Sequence, residues 1–368
     1  MTIGIDIRAL AGQRAGKGWS VYHILKNLTL LPEAAEHRFI LYAKEKPVFD
    51  FSLPDNFVIR IKNQPNLLWH WAVANELNFS AKIDIYLSPV SFIVPALVPK
   101  KCVVIVNDLV AKLFPAGHDR KATLVENLTL RPALRNSRAV IAISESTKRD
   151  LEKYYPFARG KITVAPLAAS GPAKMATEAE KRAVLEKYRL PKKFLFFVGT
   201  LEPRKNIVRI VKAYDQVKDK LGADFVLAGK KGWQWEEIFD TIKRLGLDKR
   251  VHYLRYISNL DLPLLYQSAS LLVFPSLYEG FGLPVLEAMA AGCPVVTSRV
   301  SSLPEVAGQA AVLVDPNRTE DIVRGISEAW QRRKELAEAG KIQAGKFSWE
   351  KTAGRILEIL SEKKEATS

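Results

Sequence analysis

Short β-branched or aromatic runs alternate with amphipathic helical stretches along nearly the whole chain, and the alternation runs through twice. The first series of strand candidates is Ile3–Ile7, Phe39–Tyr42, Ile85–Leu87, Val103–Val106, Val140–Ile143 and Ile162–Val164. The second is Phe194–Val198, Phe225–Ala228, Val251–Tyr253, Leu271–Phe274, Val295–Thr297 and Val312–Val314. Several are apolar at every position, which suits strands covered on both faces of a parallel sheet. Helical patterns lie between them, including Trp19–Leu30, Thr147–Tyr155, Asn206–Lys220 and Pro284–Ala291. Strand and helix in alternation argue for doubly wound α/β sheets.

The two series are separated by Ala168–Leu190, where Gly171-Pro172 precedes a polar helical stretch, a reasonable hinge. The expected architecture is therefore two Rossmann-like domains, residues 1–170 and 171–347, with a last helix from residue 348 to the end at 368. Ligands of such sheets bind outside the carboxyl ends of the strands, so two facing sheets would enclose one cleft. A length of 368 residues is comfortable for two domains. The N-terminal MTIGIDIRAL reads as a first strand and not as a signal peptide, and no apolar run is long enough to span a bilayer. Cys102 and Cys293 sit in apolar segments and read as buried thiols of a reducing compartment, which places the chain in the cytoplasm. The net charge of +16 is dispersed, in pairs such as Lys100-Lys101 and Lys230-Lys231. That argues against a nucleic-acid groove and leaves a diffuse, peripheral attraction to an anionic membrane open.

The stretch Phe274–Val296 carries the strongest chemical signal. A buried strand ends at Pro275, a loop holds Glu279, Gly280 and Gly282, and a helix opens with Pro284 in its first turn. Free amides at Phe281, Gly282 and Leu283 together with the positive helix end would make an anion site suited to a diphosphate. Glu279 and Glu287 could each accept hydrogen bonds from vicinal hydroxyls of a ribose or a hexose. A second motif runs Gly199-Thr200-Leu201-Glu202-Pro203-Arg204-Lys205-Asn206 after a buried strand. Arg204 offers a planar fork and Lys205 a point charge, both suited to a diphosphate, and such cations would stabilise a departing nucleotide. Cations are disfavoured at a helix start unless an anion offsets them, which itself points to an anionic ligand.

The spacing of Glu279 and Glu287 in this setting resembles the signature of glycosyltransferase family 4, whose members are retaining enzymes of the GT-B fold. The resemblance extends over most of the chain. It implies that Glu279 holds the donor sugar, Glu287 the donor ribose, the amides of Phe281, Gly282 and Leu283 the sugar and phosphate, and Arg204 and Lys205 the diphosphate, with Thr200 in the same segment. Ala15-Gly16-Lys17-Gly18, ahead of the Trp19–Leu30 helix, resembles the family's N-terminal glycine loop, so Gly18 is expected near the donor phosphate. Tyr256-Ile257-Ser258 resembles the base-binding loop, with Ile257 over the base edge. Val106-Asn107-Asp108-Leu109 stands where relatives have His-Asp, so Asn107 is the one departure among the candidate catalytic residues. An asparagine can orient a sugar hydroxyl but cannot take a proton near neutral pH. Read without the resemblance, Asn107-Asp108 is a helix-capping pair, and Ser144 with Thr147 reads as another cap.

The resemblance implies transfer of a hexose, with mannose favoured, from a GDP- or UDP-linked donor to a glycan or lipid-linked acceptor, with no obligatory metal. No Asp-x-Asp pair and no Walker loop occurs, and the five histidines show no metal spacing. A nucleotide-sugar epimerase on the same fold and a catalytically weak nucleotide-sugar-binding protein are the alternatives. For the acceptor, Gln64–Phe79 is a candidate, rich in Trp and Asn (Asn66, Trp69, Trp71, Asn75). Its aromatic faces suit sugar stacking, and a helix lying at a membrane edge is the competing reading.

Overall fold

The computed structural model describes residues 1–12, 16–79, 82–99, 101–115, 120–170 and 175–362. The chain divides into two compact units. The first comprises Met1–Leu113, Asp119–Leu167 and Ser348–Ser368, and the second comprises Phe114–His118 and Ala168–Phe347.

The first unit is built on a parallel sheet of seven strands: β1 (Thr2–Asp6), β2 (Arg38–Ala43), β3 (Phe57–Ile61), β4 (Ile85–Ser88), β5 (Cys102–Val106), β6 (Ala139–Ala142) and β7 (Ile162–Val164). Their order is β3-β2-β1-β4-β5-β6-β7. Strands β4, β5 and most of β1, β2 and β6 are buried at every position, which explains their unbroken apolar runs. The helices are α1 (Gly16–Leu28), α2 (Asn66–Phe79), α3 (Ile93–Leu97), α4 (Val110–Leu113), α5 (Arg120–Asn136) and α6 (Glu145–Tyr154). Ser144 caps α6, its hydroxyl accepting from the Thr147 amide at 2.9 Å, as the sequence suggests.

The second unit has a six-stranded parallel sheet: β8 (Phe194–Val198), β9 (Asp224–Ala228), β10 (Val251–Leu254), β11 (Leu271–Phe274), β12 (Val295–Ser298) and β13 (Val312–Val314), in the order β10-β9-β8-β11-β12-β13. Its helices are α7 (Glu178–Lys187), α8 (Ile207–Leu221), α9 (Glu236–Arg244), α10 (Leu262–Ser268), α11 (Leu283–Ala290), α12 (Leu303–Ala307), α13 (Thr319–Gln331) and α14 (Arg333–Ala344). Thr177 and Glu180 form a full capping box at the start of α7. The final helix, α15 (Trp349–Ser361), packs in the first unit. The Arg138 guanidinium donates to the carbonyls of Ile359 and Leu360 at its end, and Trp349 stacks on His23 at 4.9 Å.

Two Rossmann-like sheets are therefore present, as the doubled alternation implies. The sequence reading misses β3, because Phe57-Val58-Ile59-Arg60-Ile61 is an edge strand interrupted by a charge. It also misses the helices α3, α5, α13 and α14. In α5, Pro132 and a run of polar residues mask the periodicity, although Leu130 and Leu134 face the core. Of the hinge stretch, Gly171 and Pro172 lie outside the described residues.

Candidate functional site

In the second sheet the strand order reverses at β8: β9 and β10 lie to one side of it, β11 to β13 to the other. The loops that leave the carboxyl ends of β8 and β11 thus flank a topological switch point, where open α/β sheets bind ligands. The two strongest sequence motifs are these two loops.

The β8 loop is held by backbone alone at its start. Gly199 has φ +153° and Gly229, at the end of β9, has φ +135°. A Cβ on Gly229 would lie 1.9 Å from the Gly199 carbonyl oxygen, so no other residue fits there. The Leu201 amide donates to the Lys230 carbonyl at 2.9 Å and the Gly232 amide to the Leu201 carbonyl at 3.0 Å, fixing half-buried Thr200 between them. The chain then makes a 3₁₀ turn, Pro203–Lys205, and Asn206 takes a left-handed conformation, φ 63°. The buried Asn206 side chain donates to the carbonyls of Pro275 and Pro316 at 3.0 and 2.6 Å, tying the turn to the end of β11. The Leu277 amide completes the tie by donating to the Arg204 carbonyl at 2.9 Å.

These ties bring the predicted cations onto the predicted acid. Lys205 Nζ donates to Glu279 Oε1 at 2.5 Å, and Arg204 Nη1 donates to Glu279 Oε2 at 3.1 Å and to the Tyr278 carbonyl at 2.6 Å. Arg204 Nη2 also pairs with Glu202 at 2.5 Å. Lys205 lies 5.1 Å over the Phe274 ring. Burial alone would raise the Glu279 carboxyl, but Lys205 and then Arg204 outweigh it and hold it below the usual range. Burial lowers Lys205, and Glu279 only partly opposes this. Arg204 and Lys205 therefore do not lack an offsetting anion of the chain's own, contrary to the expectation from their place at a helix start. They lie on a 3₁₀ turn before α8, and Glu202 and Glu279 already balance them, so the cluster is a buried quartet with two charges of each sign.

The backbone around Glu279 is equally constrained. Its amide donates to Ser301 Oγ at 3.0 Å, and the Ser302 hydroxyl lies 2.8 Å from its carbonyl and 2.7 Å from that of Phe281, donating to one at a time. Ser301 has φ 54°, a conformation that costs energy in a non-glycine residue. Gly282 follows with φ 111°, and a Cβ there would meet Leu303 at 2.8 Å. Phe281 is buried edge-on to Phe347. Among the described residues no acceptor is bonded to the amides of Phe281, Gly282 and Leu283, which open α11.

Glu287, on the second turn of α11, receives the Tyr266 hydroxyl at 3.1 Å. Only part of its side chain reaches the surface, and burial pushes its carboxyl up to about 7, with the Tyr266 bond opposing. Ile257 follows β10, nearly buried, with Tyr256 exposed beside it.

Asn107 and Gly18 belong to the first unit. Asn107 follows β5 and donates to the Pro89 carbonyl at 3.3 Å, while Asp108 caps α4 by accepting from the Val110 amide at 3.0 Å. The capping reading thus holds for Asp108 and not for Asn107. Gly18 is not in a loop ahead of a helix: α1 begins at Gly16, so Gly18 is a buried residue of its first turn, and Ala15 lies outside the described residues. Trp69, a candidate for sugar stacking, is fully buried under the Arg8 guanidinium at 3.8 Å, whereas Trp71 is exposed; the Asn66 side chain lies outside the described ones.

The sequence assigns no role to Glu202 and Asn206 inside their motif, nor to Ser301, Ser302 and Tyr266. The Glu202–Arg204 pair is visible as an opposite charge two residues away; the others act across long sequence separations and leave no local signal. Among the described residues, no group of three or more His, Cys, Asp or Glu side chains is placed to hold a metal ion, and no helix is long and apolar enough to cross a membrane. Cys102 and Cys293 are buried free thiols.

A model of the family described as Glycosyl transferases group 1 matches residues 177–365, and one described as Glycosyltransferase Family 4 matches residues 22–168. The O-antigen chain mannosyltransferase B of Escherichia coli is 33% identical over 257 residues, covering 68% of this chain and 68% of that protein. The serotype-specific mannosyltransferase WbdA of Escherichia coli is 33% identical over 229 residues, 60% of this chain, which spans only 28% of WbdA. Among solved structures, Anabaena HepE in complex with UDP and glucose superposes with a TM-score of 0.76 at 19% identity, over 98% of this chain and 99% of HepE.

Proposed function

The chain belongs to glycosyltransferase family 4, a hexosyltransferase of the GT-B fold, and from that premise we propose that it moves mannose, with retention of configuration, from a nucleotide-diphosphate sugar to a glycan. The observation that carries this reading is the convergence, at one switch point, of the Glu279–Lys205–Arg204 cluster and the open amides of Phe281, Gly282 and Leu283. The O-antigen relatives favour mannose and a polysaccharide acceptor, and the UDP-bound neighbour favours a nucleotide-sugar donor.

In this mechanism the diphosphate takes the amides at the start of α11, where the helix end favours an anion. Arg204 and Lys205 turn part of their charge from Glu279 to the phosphates as negative charge develops on the leaving nucleotide. Glu279 then has free oxygens to accept from sugar hydroxyls, and Glu287 accepts from the ribose. Lys205 and Arg204 engage both Glu279 oxygens and hold its carboxyl in the charged, weakly basic form. Such a carboxylate is a poor nucleophile, which favours front-face substitution over a covalent sugar intermediate. The leaving phosphate oxygen accepts the acceptor's proton, and the acceptor oxygen joins the anomeric carbon from the same face. Asn107 and Gly18 take positioning roles for sugar and phosphate, and Ile257 and Thr200 line the nucleotide.

Incubating the chain with GDP- and UDP-sugars and mannose-terminated oligosaccharides, and reading the product linkage by NMR, tests the reading. An α-linked mannoside from an α-linked donor supports it. An inverted product, or turnover of the donor to an epimer without acceptor, overturns it.

A further inference from the structure

The first sheet has a switch point of its own, and an acid stands there that the mechanism leaves idle. In the order β3-β2-β1-β4-β5-β6-β7, the chain moves from β1 toward one edge and from β4 toward the other. Such a sheet takes a ligand in the crevice over the carboxyl ends of the strands where the order reverses, here β1, β4 and their neighbour β5. A crossover helix runs back antiparallel to its strands, so α5, between β5 and β6, starts at this carboxyl edge. Leu130 and Leu134 pack α5 onto Val104, Val106 and Leu109. Glu126 stands one turn before Leu130 on that same side and is half-buried. Thr123, nearly one turn earlier, shares the side, and its buried Oγ1 has no hydrogen-bond partner among the described residues.

The electrostatic neighbours of Glu126 are Lys17, Asp108 and Tyr155. They show which way it faces. Lys17 belongs to α1, which packs on α15, whereas α5 packs on α3. The crossovers β1–β2 and β5–β6 run in opposite directions along the sheet, so their right-handedness puts α1 and α5 on opposite faces. With the sheet between them, Lys17 and Glu126 meet over the carboxyl edge. Glu126 therefore faces the crevice. Burial raises its carboxyl, Lys17 opposes this and Asp108 adds to it. Tyr155, which follows α6, has Arg131 near it and Lys112 Nζ 5.6 Å from its ring.

The open hydrogen-bonding groups at this edge are mostly acceptors. Among the described residues no hydrogen bond or ion pair engages the Glu126 carboxylate. Asp108 accepts from the Val110 amide with one oxygen and keeps the other open. Asn107 donates to the Pro89 carbonyl and keeps its side-chain oxygen open. A phosphate or carboxylate ligand would bring further acceptors and meet two acids. A neutral sugar brings hydroxyl donors, and one carboxylate can accept from a vicinal pair of them.

We propose that Glu126 holds the acceptor, accepting from vicinal hydroxyls of an uncharged hexose beside Asn107 and so presenting the hydroxyl that is glycosylated. This rests on the transferase reading and adds an acceptor-binding residue to it. Transfer to a mannose-terminated disaccharide is followed over a range of its concentration at saturating donor, for the parent, Glu126→Gln and Glu126→Leu. Binding of the same disaccharide is read separately by saturation-transfer NMR. Acceptor KM should rise roughly 10-fold or more in Glu126→Leu, because a hydrogen bond to a charged group is lost. It should rise less in Glu126→Gln, which keeps one acceptor oxygen, and donor KM should stay within about 2-fold in both. In the parent, acceptor KM should also rise in acid as Glu126 takes a proton, at a higher pH than for an ordinary carboxylate; Glu126→Leu should lack that limb. Burial disfavours the charge of Glu126, so both variants should melt no lower than the parent. Unchanged acceptor KM in Glu126→Leu, or equal rises in acceptor and donor KM, overturns the proposal. A parent that neither binds the disaccharide nor transfers to it overturns the transferase reading as well, whereas a parent that transfers and a Glu126→Leu variant that matches it overturn this assignment alone.

Discussion

The loops at the carboxyl ends of the two sheets are held differently. In the second unit the β8 and β11 loops are locked to each other and to the β9 loop, by Gly199 against Gly229, by Asn206 bridging to Pro275 and Pro316, and by a charge quartet around Glu279. In the first unit the Asn107 side chain makes one 3.3 Å bond and its carbonyl receives the Thr147 hydroxyl at 3.5 Å, and Gly16 of α1 has room: a Cβ there would meet nothing within 4 Å. One edge is preorganised to hold charge in a fixed place, and the other tolerates change. Rigidity is thus concentrated at the edge that carries the charge quartet and the α11 amides.

The largest effect is expected at the quartet. Lys205→Met strands Glu279 with Arg204 alone and removes a charge from the leaving group. Transfer should fall roughly 10²- to 10³-fold and stability by about 3–5 kcal/mol, read by kinetics and urea unfolding. Adding Glu279→Gln should recover part of the stability and none of the activity; additive losses in stability would show that the pair is not coupled.

Gly229→Ala forces a Cβ into the Gly199 carbonyl and should cost about 4 kcal/mol or more. Gly16→Ala, at the start of α1, should be neutral or stabilising by up to about 1 kcal/mol. Comparable destabilisation of both in thermal unfolding would remove the contrast between the two edges.

Glu287 gives a pH-dependent test. Its carboxyl is raised from 4.5 to about 7 in the folded chain, so between these values the native state binds more protons than the unfolded one. The charged form therefore costs stability, increasingly as pH rises from about 4.5 to 7 and fully above that. Glu287→Gln should be more stable than the parent by about 3 kcal/mol at pH 8, with the gap closing below pH 4.5. A pH-independent gap would mean that the shift is absent.

The smallest effect is expected at Asn107. Asn107→His should change transfer by less than about 10-fold, since one long hydrogen bond is worth about 1 kcal/mol, and should introduce a pH dependence near 6.5. A gain larger than that would make the asparagine a true loss of a catalytic group.

How much was legible follows the same division. The apolar strands and the loop glycines could be read because their constraint is local: Phe194–Val198 is buried at nearly every position, and Gly282 needs a positive φ. Glu279, Lys205 and Arg204 could be named, but not their mutual pairing, because Lys205 and Glu279 meet across 74 residues. The ties made by Ser301, Ser302 and Asn206 are not legible for the same reason: each serves another loop's carbonyl or amide. In the first unit, β3 was lost to Arg60, whose charge is answered by Glu76 of α2, and Gly18 was misplaced because α1 starts two residues ahead of it.

The central claim is that the switch point of the second unit grips a nucleoside diphosphate through the quartet and the α11 amides. Titration calorimetry of UDP and GDP against the parent and Glu279→Gln/Lys205→Met tests it most directly. The parent should bind one of the two nucleotides, and the double variant should bind it at least roughly 10-fold more weakly. Equal affinity in both proteins, or no binding of either nucleotide to the parent, would contradict the account.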